Sequence, residues 1–190
     1  MTDNGGFVII GIVGTIAGGK DTVAEYLVSK GFEHVSLSDT LREIMQENQI
    51  ETTIPNMIDF GNKLRSKKGN DILARLAFNK LKGKNAVLTS IRQTGEIEFL
   101  NKQSEFVLIK VDAPIGQRFK RLISRHRDGD IKTLEELKEI EKKQAKSSGS
   151  GQNMDDCFKL CQFEIINNES LEGLYKKVND LLNKFKSKNG

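Results

Sequence analysis

The stretch Gly14-Thr15-Ile16-Ala17-Gly18-Gly19-Lys20 sets its glycines and lysine in the order G-x-x-x-x-G-K, and the chemistry of that order is anion capture. Glycines let successive backbone N–H groups turn inward around phosphate oxygens. A helix that follows adds partial positive charge at its N-terminus, and the lysine ammonium reaches β- and γ-phosphates. The next residue departs from the usual pattern, because Asp21 stands where a Ser or Thr hydroxyl normally joins a Mg²⁺ shell, and Thr22 follows it. Two readings of Asp21 are open: it contacts Mg²⁺ directly or through water, or it only adds favourable charge at a helix N-terminus.

A phosphate group also needs cations from outside the loop. Arginines fall on separate segments: Arg42, Arg65, Arg92, and then Arg118, Arg121, Arg125 and Arg127. Arginines on separate elements can hold two anionic substrates together while the transferring phosphoryl group is kept from water. Arg92 follows an apolar run directly, in an otherwise uncharged turn, which makes it the strongest single candidate. Asp39 has two readings, a base that orients an acceptor or a helix cap, and Asp112 likewise reads as an acid or a cap.

Elements must position these groups. Phe7 to Val13 is an almost unbroken apolar, β-branched run, the pattern of a strand covered on both faces. Asp21 to Lys30 has helical spacing through Val23, Ala24, Leu27 and Val28, with Gly31 placed as a C-cap residue. Further strands are predicted at His34 to Leu37, Ala86 to Leu88, Phe106 to Val111 and Phe163 to Ile166. Helices are predicted beyond Ser38 or Asp39, over Pro55 to Arg65, Asp71 to Leu81 and Gly95 to Leu100, and from Pro114 to about Arg125. A charged helix follows a Thr133/Glu136 capping box, and Leu171 to Phe185 closes the chain with an amphipathic helix. Arg125 to Lys132 reads as a mobile loop and Ser147 to Asn153 as a flexible turn. Five strands alternating with helices predict an α/β, three-layer fold with a five-stranded, mostly parallel sheet, and such sheets bind ligands outside the carboxyl ends of their strands.

Length, charge and composition bound the function. At 190 residues the chain is expected to form a single domain, 1–190. Thirty basic against 26 acidic residues give a net charge of +4, a mild excess for binding nucleic acid nonspecifically, and no specific nucleic-acid partner is expected. No apolar run is long enough to span a bilayer and the first residues lack a secretory pattern, so the expected location is cytoplasmic. Cys157 and Cys161 are too few for a four-ligand zinc site and read as reduced thiols. None of the four Asn-Lys pairs, at Asn62, Asn79, Asn101 and Asn183, has Asp two residues after its lysine, which excludes the guanine-reading motif of GTPases. Thr89-Ser90, in place of an acidic pair at a strand end, disfavours a motor ATPase.

The sequence resembles the P-loop nucleotide kinase superfamily in the Gly14 to Thr22 loop with its Gly-Lys-Asp-Thr ending, Ser36-Leu-Ser-Asp39 before Leu41-Arg42, and Gly61-Asn-Lys-Leu-Arg65. Ser90-Ile-Arg92, the Arg118 to Arg127 segment and Ile165-Ile-Asn-Asn168-Glu-Ser170-Leu carry the same resemblance. It is similar to dephospho-CoA kinase-like proteins, to phage-type deoxynucleoside monophosphate kinases, and to the kinase-like domain beside some deoxycytidylate deaminases. The resemblance implies a P-loop NTPase fold, ATP and Mg²⁺ as cofactors, and transfer of the ATP γ-phosphoryl group to a small nucleotide. The expected acceptor is a (deoxy)nucleoside monophosphate or, failing that, the ribose hydroxyl of dephospho-CoA; a noncatalytic ATP sensor is the alternative of another class.

By the same resemblance Gly14, Thr15, Ala17, Gly18, Gly19, Lys20, Asp21 and Thr22 hold the triphosphate, with Lys20 also on the migrating group, and Asn167 and Asn168 lie near adenine. Asp39, Arg42, Arg65 and Arg92 line the acceptor site in a helical region spanning about 38–82, and Arg125 and Arg127 act from a lid at about 118–153. Family members often carry an acid where this chain has Thr89, and an Ala-Asp pair where it has Cys161 and Gln162. Asp21, Asp39 and Asp112 are the acids that remain for Mg²⁺.

Overall fold

The apolar runs become the strands of one sheet in a computed structural model that describes residues 7–103, 105–124, 131–145 and 153–186. The strands are β1 (Val8–Gly14), β2 (Glu33–Ser36), β3 (Ala86–Thr89), β4 (Glu105–Asp112) and β5 (Phe163–Ile166), in the order β2-β3-β1-β4-β5. Every pairing is parallel, so the "mostly parallel" expectation becomes a wholly parallel sheet among the described residues. The order reverses about β1, whose neighbours β3 and β4 run to opposite sides. That places a crevice at the carboxyl end of β1, where the glycine loop begins.

Side chains along the central strands alternate between two cores. Ile9, Val13, Leu88 and Leu108 face one cluster, while Ile10, Ile12, Val87 and Ile109 face the other. The second cluster is closed by Val23 and Leu27 of α1 (Lys20–Ser29) and by Leu174 and Val178 of α9 (Leu171–Lys186). The first is closed by α2 (Leu37–Glu47), α4 (Ile72–Phe78), α5 (Thr94–Asn101) and α8 (Met154–Lys159), with α3 (Ile54–Lys68) packed beside them. The remaining helices are α6 (Ile115–Ser124) and α7 (Leu134–Ala145). Among the described residues no helix is long and apolar enough to cross a membrane.

Three local expectations change. The cap of α2 is Ser36, whose hydroxyl accepts from the Asp39 N–H, instead of Ser38 or Asp39. Asp112 caps no helix turn; its carboxylate is bonded to the glycine loop, as described below. Helix α8 had no forecast of its own, since six residues with one buried side chain, Cys157, make a weak periodic signal. The Thr133/Glu136 capping box is present: Glu136 N–H donates to the Thr133 hydroxyl, and Thr133 N–H donates to the Glu136 carboxylate.

Candidate active site

The glycine loop joins β1 to α1 with backbone that side chains adopt poorly. Gly19 has φ +105° and a Cβ there would lie 2.2 Å from Asn167 Nδ2; at Gly14 a Cβ would lie 1.9 Å from the Val111 carbonyl oxygen. Ala17 takes φ +56° despite its side chain, a conformation that costs about 1 kcal/mol or more outside glycine.

The loop's carbonyls are held from the outside. Lys20 Nζ donates to the carbonyls of Gly14 (2.9 Å) and Thr15 (2.6 Å). Arg118 donates to the carbonyl of Ile16, Arg121 to that of Ala17, and Asn167 Nδ2 to that of Gly18 at 3.0 Å. Five consecutive carbonyls are thus engaged, which fixes the peptide planes; of the loop's N–H groups, that of Gly18 donates to the Thr15 carbonyl at 3.2 Å and that of Ile16 to the Glu141 carboxylate. No side chain caps the N-terminus of α1, so its first N–H groups are available to an anion.

Asp112, at the end of β4, anchors the loop from the side. Its Oδ1 accepts from the Thr15 hydroxyl and from the Ala113 N–H, both at 2.7 Å. Burial pulls its carboxyl pKa upward, but these two bonds and Lys110 outweigh that and hold it below the ordinary aspartate value. Burial brings Lys20 down from 10.5 to about 8, opposed by Asp21 and reinforced by the positive field of Arg92.

Next to the loop lies the second group of forecast residues. Arg42 on α2 pairs with Asp39 one turn earlier and donates to the Ser38 hydroxyl. Arg65 on α3 is 7% exposed and faces Glu96 on α5, which is fully buried, at 3.5 Å. Glu96 Oε2 accepts from the backbone N–H groups of Arg92 (2.7 Å) and Gln93 (3.1 Å), pinning the turn after β3. Burial pushes the Glu96 carboxyl pKa up against the pull of Arg65. For Arg92, burial first and then the fields of Arg65 and Arg42 lower the guanidinium pKa, with Glu96 opposing.

The structure therefore brings Lys20, Arg92, Arg65 and Arg42 near enough to feel one another's charge, with Arg65 and Arg42 each paired to a carboxylate. Among the described residues no carboxylate lies within ion-pair distance of Arg92 or Lys20. Ser36, Ser38 and Ser90 add a ring of three mutually bonded hydroxyls, 2.9 to 3.4 Å apart, at the ends of β2 and β3, and Ser90 sits at φ +64°.

The other forecast residues lie around the loop in different settings. Asn167 is buried against Gly18 and accepts from Arg121 at its carbonyl, which makes it a support under the loop, whereas Asn168 is exposed and bonded to Lys177. Arg118 is not a free lid arginine: it is 6% exposed and paired with Glu141. Arg125 and Arg127 lie outside the described residues. Residues that sequence reasoning missed are Glu96 and Glu141. Their only signals were a glutamate three residues after Gln93 at a helix start, and one acid among many on a charged helix.

The residues fit ATP and Mg²⁺ in kind. An uncapped helix terminus, a glycine loop and a half-buried lysine without a carboxylate partner among the described residues match a polyphosphate. Asp21, exposed beside Lys20 and in no ion pair among the described residues, is a carboxylate that Mg²⁺ could use; such ions commonly take one or two carboxylates plus phosphate and water. Among the described residues there is no cluster of three His, Cys, Asp or Glu able to hold a metal by itself.

Residues 10–146 match the family model described as AAA domain. The chain belongs to that AAA domain family. Relatives include a UPF0200 protein of Thermococcus kodakarensis, 27% identical over 188 residues with 95% of this chain and 99% of the relative covered. A UPF0200 protein of Sulfurisphaera tokodaii is 29% identical over 92% of this chain and 95% of its own length. A UPF0200/UPF0201 protein of Archaeoglobus fulgidus is 28% identical over 92% of this chain, and the chain spans about half of that relative, 54%.

Solved structures with the same fold include TT1252 from Thermus thermophilus (TM-score 0.62, 19% identity, 94% of this chain and 98% of that one). Shikimate kinase from Bacteroides thetaiotaomicron follows at TM-score 0.58 and 14% identity, covering 93% and 98% of the two chains. Dephospho-CoA kinase from Campylobacter jejuni aligns at TM-score 0.53 and 16% identity, covering 93% and 96%. This member of the AAA domain family thus has the P-loop kinase fold, a five-stranded parallel sheet with helices on both sides.

Proposed function

We propose that the chain is an ATP-dependent phosphotransferase that moves the γ-phosphoryl group to a small nucleotide acceptor, a (deoxy)nucleoside monophosphate in the first instance. The observation that carries the reading is the run of neighbouring cations from Lys20 through Arg92 to Arg65 and Arg42, on three helices and the turn after β3, around the carboxyl ends of β1, β2 and β3. Two anions brought together need cations between them, and this stretch adjoins the loop that would hold the first. Lys20 is half-buried and lies across the loop on the Gly14 and Thr15 carbonyls, where it would neutralise charge on the migrating group. Arg92, Arg65 and Arg42 would take the acceptor phosphate, and the turn held by Glu96 would fix the angle of attack. Bound ATP supplies the phosphoryl group, and Mg²⁺ on its phosphates would rely on Asp21.

One contact favours a phosphate acceptor over the hydroxyl of dephospho-CoA. Asp39, the residue that would serve as a base for a hydroxyl, is ion-paired with Arg42; a phosphate is already a nucleophile and needs only arginines. Coupled ADP release from Mg²⁺ and ATP, measured against a panel of ribo- and deoxynucleoside monophosphates and dephospho-CoA, tests the proposal with Lys20→Ala as control. Turnover with a monophosphate that falls at least about 100-fold in the variant is the expected result. ATP binding with no turnover on any acceptor would replace the reading with a nucleotide sensor.

A further inference from the structure

Glu141, on the C-terminal half of α7, reaches the glycine loop. Its carboxylate accepts from the Ile16 N–H at 3.3 Å and is paired by both oxygens with Arg118, the second contact measuring 3.2 Å. Arg118 is itself locked by donation from Nε to the Ala113 carbonyl at 2.8 Å and lies 3.7 Å from Asp112. Helix α7 is anchored by buried Leu137 one turn earlier, so Glu141 is aimed by packing rather than by its own reach. Glu141, Gly14, Thr15, Asp155 and Phe158 together line a cleft of about 290 Å³.

The amide that Glu141 takes belongs to a loop whose N–H groups suit phosphate oxygens. Its place within the loop is also informative. The lysine of such a loop serves the outer phosphates, and here Lys20 Nζ lies on the carbonyls of Gly14 and Thr15. The end of the loop near Ile16 is therefore the terminal-phosphate end, and the start of α1 takes the inner phosphates.

We propose that Glu141 is an internal stand-in for the terminal phosphate, competing with a nucleoside triphosphate for the Ile16 N–H and for Arg118 but leaving a nucleoside diphosphate unopposed. A triphosphate displaces the carboxylate and receives the arginine in its place. Glu141 thereby sets the affinity of the loop for triphosphate relative to diphosphate and couples the position of α7 to which one is bound. The inference rests on the proposed ATP-binding role of the loop.

The test is calorimetric titration of the full chain and of Glu141→Gln with ATP and with ADP, alongside thermal melts without nucleotide. If the carboxylate holds the amide most of the time, the variant binds ATP about tenfold tighter while its ADP affinity stays within about twofold, and it melts at a lower temperature because Arg118 has lost its partner. A residue with only a structural role would lower the melting temperature without tightening ATP. Unchanged or weaker ATP binding, as expected if Glu141 held Mg²⁺, overturns the proposal, as does equal tightening of both nucleotides. Should the variant fail to fold, hydrogen exchange of the wild type decides. Protection across residues 134–145 must differ between the complexes with ADP and with the β,γ-imido analogue of ATP, and equal protection overturns the proposal. A wild type that binds neither nucleotide removes the phosphotransferase reading along with this one, whereas a wild type that binds both with no effect of the variant removes this one alone.

Discussion

In the proposed phosphotransferase, Lys20 is the residue at which protein and phosphate chemistry would meet most directly. In the folded chain its pKa is about 8, against 10.5 when unburied. Between those values the unfolded chain carries the extra proton, so the contribution of Lys20 to stability rises with pH over that window and is flat below it. Phosphate binding acts the other way, because a dianion beside the ammonium favours its charged form and raises its pKa again. Above pH 8 nucleotide binding must then take up a proton, and affinity falls by as much as about tenfold per pH unit until the pKa of the complex is reached. Calorimetric Kd values for ATP from pH 7 to 9.5 in buffers of different ionisation enthalpy check both the slope and the proton uptake. A flat profile above pH 8 would show that Lys20 stays clear of the phosphates.

At the scale of elements, helix ends are where the chain departs most cheaply from its best backbone. Helix α2 closes with Gln49 at φ +58° and an Ile50 N–H to Met45 carbonyl bond of 2.8 Å, a left-handed closure for which glycine is the usual residue. Gln49 is exposed, and Gln49→Gly should raise stability by roughly 0.5–1 kcal/mol in a urea melt with an unchanged m-value. Much of the element pattern was legible in the sequence, because apolar periodicity and capping residues are local signals; Thr133 with Glu136 and the buried run of β1 are examples, whereas the α2 cap fell at Ser36 and the Gln49 closure carried no glycine to mark it. What could not be read locally is where a polar side chain ends its reach. Asp112 looked like a cap since it precedes Pro114, yet its partner Thr15 is 97 residues away. Glu96 drew no reading from the sequence, and only the tertiary approach of Arg65 and the Arg92 turn gives it a buried role. Glu141 was one acid in a charged helix until the loop came within reach of it.

For the whole molecule, ligand binding and folding are linked by mass action. A nucleotide that binds only the native loop at 100 times its Kd stabilises by about 2.7 kcal/mol. For a chain of this size that is a rise in Tm of about 5–10 °C. Differential scanning fluorimetry with saturating Mg²⁺ and ATP should show the shift, and Lys20→Ala should lose most of it while melting at a similar temperature by itself. A full shift in the variant would place nucleotide binding elsewhere on the surface.

The supports of the glycine loop also fix an order of events during synthesis. Residues 14–20 emerge early, but the β4 strand that pairs with β1 and carries Asp112 comes about a hundred residues later, and Asn167 is separated from Gly18 by 149 positions. At about 5–20 residues per second the ribosome needs roughly 8–30 s to bridge that interval. Through it the nascent loop lacks the full set of contacts that hold its carbonyls. The earliest functional segment of the chain is thus the last to acquire its shape, and a ribosome stalled before residue 167 would display a glycine-rich loop with little hold on phosphate.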